Sequence, residues 1–126
     1  MPTNVAPQDI MLLGTANSDG TFTGVTVDET YSVWVPPGAH DKVALVIIGN
    51  GTTSSGVIAI QEAFWTEKQM PYSGTPSTIT TVNASDVTGG AQKVVHVSPN
   101  ALFPIRVGIT TVIGGGGGIS VALRYQ

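Results

Sequence analysis

The stretch Asp41 to Trp65 reads DKVALVIIGNGTTSSGVIAIQEAFW, and its reading decides the fold. Val43 to Ile48 is six apolar residues in a row, rich in β-branching, the mark of a strand in a sandwich core. Gly49-Asn50-Gly51 and Gly56 bracket Thr52 to Ser55, which is turn chemistry. Beyond the turn, Val57, Ala59 and Gln61 alternate with Ile58, Ile60 and Glu62 before the bulky pair Phe64-Trp65. No helical period runs through the stretch. The expectation is a hairpin of two apolar strands that makes half of one core wall.

The same signals continue outward on both sides. Asp9 to Leu13 reads as a first short strand, and Asn17-Ser18-Asp19-Gly20 as a turn. Thr21 to Asp28 alternates, as does Tyr31 to Val35, where Tyr31, Val33 and Val35 oppose Ser32 and Trp34. Pro36-Pro37-Gly38 ends that strand. Downstream, Thr78 to Val82 and Lys93 to Val97 are separated by Asp86 to Gly90. Pro104 to Ile113 and Ile119 to Tyr125 are joined by five consecutive glycines, Gly114 to Gly118. This last pair repeats the plan of the first, strand, small-residue turn, strand, and reads as a second hairpin with a flexible loop. About eight short strands and no credible helix give an all-β fold: a single antiparallel β-sandwich, jelly-roll-like, with a β-barrel as the nearest alternative.

A chain of 126 residues is one domain, long enough to bury a core without metal or disulfide help. Residues 1–8, MPTNVAPQ, hold two prolines and no charge, which favours an extended N-terminal arm, either a frayed terminus or an arm that lies on a partner; residues 9–126 are expected to form the sandwich. Cysteine is absent, so disulfides, thiolate metal sites and cysteine nucleophiles are excluded. No basic start followed by an apolar core marks a signal peptide, and no apolar run spans a bilayer. The expectation is a protein made in a cytosol-like compartment, with no membrane partner.

Charge is the unusual quantity. Only 10% of residues are Asp, Glu, Lys or Arg, against roughly 25% in ordinary globular proteins. A net charge of −3 with five basic residues gives no footprint for phosphate neutralisation, which argues against nucleic acid. Such a surface suits a protein covered by neighbours, and it suits a weakly soluble monomer equally well.

Catalytic chemistry finds few residues. His40 stands beside a Pro-Pro-Gly turn and His96 inside a strand, with no G-x-S-x-G elbow for either. Asp28-Glu29, and Glu62 with Glu67, lack the spacing of a calcium loop, and Asp28-Glu29 stands at a strand end where acids are commonly solvated. The five glycines precede an apolar strand with no lysine, unlike a phosphate loop. The reading is no enzyme, no cofactor and no metal. Among the aromatics Tyr31, Trp34, Trp65 and Tyr72, the tryptophans are read as plugs of the core or of a subunit interface. The alternative is stacking of sugar rings on Trp34, Trp65 and Tyr72, as in a carbohydrate-binding or tail-associated receptor-binding module.

The order of these segments resembles small β-sandwich virion proteins of tailed bacteriophages. Val43 to Ile48, Gly56 to Trp65, Ile105-Arg106-Val107-Gly108-Ile109-Thr110 and Gly118-Ile119-Ser120-Val121-Ala122-Leu123-Arg124 carry the resemblance. It runs from about Tyr31 to the end and is one of fold and composition. The chain departs from it before Phe64-Trp65, where the usual acidic-glycine turn is missing, and in the five-glycine loop. The resemblance implies a head decoration (cement) protein made in the host cytoplasm. Such a protein sits on the outer capsid surface, often as a homotrimer, and ties major capsid protein subunits together. The expected contacts are the arm, Pro2, Thr3, Asn4, Val5 and Pro7, and the loop carrying Met70, Pro71 and Tyr72.

Overall fold

A computed structural model describes residues 8–26, 30–35, 43–64, 74–97 and 103–125. Its strands, in chain order, are β1 (Gln8–Leu13), β2 (Thr15–Ala16), β3 (Phe22–Thr23), β4 (Thr30–Tyr31), β5 (Val43–Asn50), β6 (Ser55–Glu62), β7 (Ser77–Asn83), β8 (Gln92–Val97), β9 (Ile105–Gly114) and β10 (Gly118–Tyr125). A segment with 3₁₀ turns, Ala84–Gly90, lies between β7 and β8 and is broken by a kink in which Val87, Thr88 and Gly89 are not helical.

Eight of these strands form two four-stranded antiparallel sheets. Sheet I has the order β1-β10-β5-β8 and sheet II the order β4-β9-β6-β7, with β2 and β3 as a separate small hairpin. Numbered without that hairpin, the orders become 1-8-3-6 and 2-7-4-5, which is the jelly-roll arrangement of two interlocked Greek keys. The sheets pack face to face. Leu45 and Ile47 of β5 and Ile119, Val121 and Leu123 of β10 meet Ile58 and Ile60 of β6 and Val107 and Ile109 of β9, and none is more than 1% exposed. Burying each such side chain contributes about 1.5–3 kcal/mol before entropy is counted.

Neither expected hairpin exists. β5 pairs with β10 and β8, and β6 pairs with β7 and β9, so the turn between β5 and β6 is a corner from one sheet to the other. β9 and β10 are divided in the same way. The reason lies in the two faces of each strand. Leu45 and Ile47 point into the core from one sheet, Ile58 and Ile60 from the other, and a corner brings those faces together where a hairpin would set them side by side. Thr53 fixes the corner. Its side chain is fully buried; its hydroxyl donates to Ala84 O at 2.7 Å and its N–H to Thr88 Oγ1 at 3.0 Å.

The five-glycine segment is likewise a corner between the sheets, tied to the β5–β6 corner through Gly114 and Gly117. Gly117 donates to Thr52 O at 2.8 Å, and Ser54 donates to Gly114 O at 2.8 Å. A Cβ on Gly117 would collide with Asn50 O, so the close approach of the two corners excludes any side chain there.

Candidate functional site

The site is built by an irregular strand edge. Tyr31 pairs with Gly108 and Val35 bridges to Ile105. Four residue steps on one side therefore oppose three on the other, leaving one extra residue opposite Arg106, a β-bulge. Ser32 holds the bulge in place. Its N–H donates to Val107 O at 2.8 Å, and its buried hydroxyl accepts from Val107 N–H at 3.0 Å while donating to Val33 O at 2.9 Å. A side-chain oxygen thus takes the place of a missing ladder carbonyl. Val33 projects from the bulge and is 73% exposed.

The extra residue changes which side chains share a face. Strict alternation from Tyr31 to Val35 would put Tyr31 and Trp34 on opposite sides of sheet II. Instead the guanidinium carbon of Arg106 lies 4.0 Å from the Tyr31 ring centroid and 4.8 Å from that of Trp34. Trp34 is half-buried against this cation, on the outer side of the sheet rather than in the core. Arg106 Nε donates to Gln61 Oε1 at 2.9 Å; the two residues are register partners on β9 and β6, and Gln61 is 8% exposed. Each guanidinium–ring contact contributes about 0.5–2 kcal/mol, depending on how dry it is. Tyr31 fits because Gly108 has no side chain: a Cβ there would fall inside its ring. The result is a fixed cation between two aromatic rings.

A second feature lies on the outer face of sheet I. Met11 pairs with Ala122, Ala122 with Val46 and Val46 with Val94, a continuous apolar row across all four strands. Ile48 stands beside it, between Ser120 and Gln92. Val94 is 45% exposed, and Met11, Ala122, Val46 and Ile48 are half-buried. Near the end of sheet II, Phe64 and Phe103 meet edge to face at 6.1 Å, both exposed.

Of the residues singled out from sequence, Tyr31 and Trp34 are placed here. Pro2, Thr3, Asn4, Val5 and Pro7, and Trp65, Met70, Pro71 and Tyr72, lie outside the described residues, as do His40, Asp28, Glu29 and Glu67. His96 is exposed on β8, opposite Ala44. Among the described residues no group of three His, Asp or Glu side chains is placed to hold a metal ion. Sequence reasoning passed over Gln61, Arg106 and Gly108 as site residues. The available signal was the glycine inside the otherwise apolar strand Val107 to Ile109, which marks a close approach.

No protein-family model and no curated protein matches the chain.

Proposed function

We propose that this protein is a phage capsid decoration (cement) protein, a binding module without catalytic activity. It lies on the outer surface of the head, bridges major capsid protein subunits, and associates with itself as a trimer. The observation that carries the proposal is the apolar row Met11, Ala122, Val46 and Val94 on the outside of sheet I. An outward sheet face ordinarily alternates to polar residues, and a contiguous apolar patch on a protein surface is a feature of interaction sites. The low charge of the chain is in keeping with a surface spent on contacts. The jelly roll also serves in viral capsid and lectin domains, which is analogy at the level of fold. The sugar-stacking reading draws less support, because the Trp34 ring already faces the Arg106 guanidinium.

Two measurements test the proposal. Light scattering on a sizing column gives the mass in solution, and co-sedimentation with expanded phage heads gives binding. Saturable binding to expanded heads, with few sites per capsomer, is the expected result. A protein that never sediments with heads and shifts its tryptophan emission with glycans overturns it.

A further inference from the structure

The described part of the molecule offers three candidate surfaces: the apolar row of sheet I, the open edge of β7, and the Arg106 cluster. The first belongs to the function proposed above. Open edges are common to all sandwiches, and nothing on β7 selects an occupant. The Arg106 cluster carries an inference of its own.

We infer that Arg106 is a preorganised receptor for a carboxylate side chain of a partner protein. Guanidinium groups on surfaces are ordinarily free to move, and ordering one on binding costs conformational entropy. Here that cost is met in the folded chain. Tyr31 and Trp34 stack on the group at 4.0 and 4.8 Å, and Gln61 Oε1 takes Nε–H at 2.9 Å. Among the described residues that is the one hydrogen bond the Arg106 side chain makes. Within the described residues the terminal nitrogens Nη1 and Nη2 keep their donors, in the planar fork that matches the two oxygens of a carboxylate. The neighbouring acid, Glu62, sits one residue beyond Gln61 and pairs with Ile105, so alternation turns it to the other side of the sheet.

A protein carboxylate fits better than an acidic sugar. The Tyr31 ring is spread over Gly108 and under the cation, so the rings hold the arginine and do not form an open platform. Arg, Trp and Tyr are also the residue types that dominate the energetic centres of protein interfaces. As a contact to the capsid, this site rests on the function proposed above. As a carboxylate receptor it stands alone.

The test has two arms, which separate these statements. In the first, the ¹⁵N-labelled protein is titrated with N-acetylglutamate amide and, at equal ionic strength, with N-acetylglutamine amide. The expected result is a saturable shift of the Arg106 Nε–H and Trp34 indole N–H signals with the glutamate probe alone, lost in Arg106→Lys. Equal shifts from both probes, or a linear shift shared with Arg124, would overturn the receptor. In the second arm, Arg106→Lys keeps its melting temperature within a few degrees and loses about tenfold in affinity for expanded heads. Unchanged affinity removes Arg106 from the capsid contact. If the wild-type protein itself never binds heads, the decoration reading falls, and the titration alone decides the receptor.

Discussion

Tyr31 lies across Gly108 on the outer side of sheet II, ring against backbone, with no room for a Cβ between them. The contact joins an edge strand of two residues to the long strand β9, and it sets the height at which Arg106 meets the ring. Gly108→Ala is therefore an overpacking change, expected to lower stability by about 1–3 kcal/mol. Urea unfolding checks it: the midpoint falls while the slope stays constant.

Thr53 supplies a second test, away from the site. Its hydroxyl donates to Ala84 O in a fully buried position. Thr53→Val keeps the shape and leaves that carbonyl unpaired, which is expected to cost about 1–3 kcal/mol. Thr53→Ser, which retains the donor, is expected to recover most of the loss in the same unfolding experiment.

A core position in sheet II and a surface position in sheet I behave oppositely. Ile60 is fully buried, and Ile60→Ala is expected to cost about 2–5 kcal/mol. Val94 is 45% exposed at the end of the apolar row. Val94→Lys is expected to change stability by no more than about 0.5 kcal/mol and to weaken capsid binding by about tenfold or more. Loss of stability in place of binding would assign Val94 to packing.

The turn at Asp19 gives a pH signature. Its carboxylate accepts from the Thr21 hydroxyl at 2.6 Å and the Thr21 N–H at 3.0 Å, and these bonds hold its pKa below the ordinary 3.8. A depressed folded pKa means that the contribution is present above the unfolded value and is lost as pH falls through the folded one. The Asp19 carboxyl carbon is expected to titrate below 3.8 by NMR. Thr21→Val, which removes the hydroxyl, is expected to move the midpoint back upward.

Alternation and turn chemistry made the strands legible, and even the jelly roll. Which strands pair was not legible. Gly49-Asn50-Gly51 serves a corner between sheets as well as it serves a hairpin, because a local glycine supplies the bend without specifying where the chain lands. The telling residue was Thr53, which in sequence reads as turn polarity and in the fold is a buried anchor. At the site, Trp34 and Tyr31 stood out as aromatics, yet period-two reading separates them. Only the bulge opposite Arg106 unites them, and it depends on Ser32 meeting Val107, two residues 75 positions apart. Gln61 was indistinguishable from any polar residue on an alternating strand until its partner across the ladder was known.

The corners also govern how the chain reaches its native state. Of the strands that follow one another in sequence, only β2 with β3 and β6 with β7 are paired; every other ladder joins distant segments, and β1 waits for β10. Folding therefore begins with almost no local reward, and the slow end of the range, milliseconds to seconds, is expected. A ribosome-bound chain lacking β10 leaves β1 and β5 without their shared neighbour, so the native ladder of sheet I is completed only after the last strand has emerged.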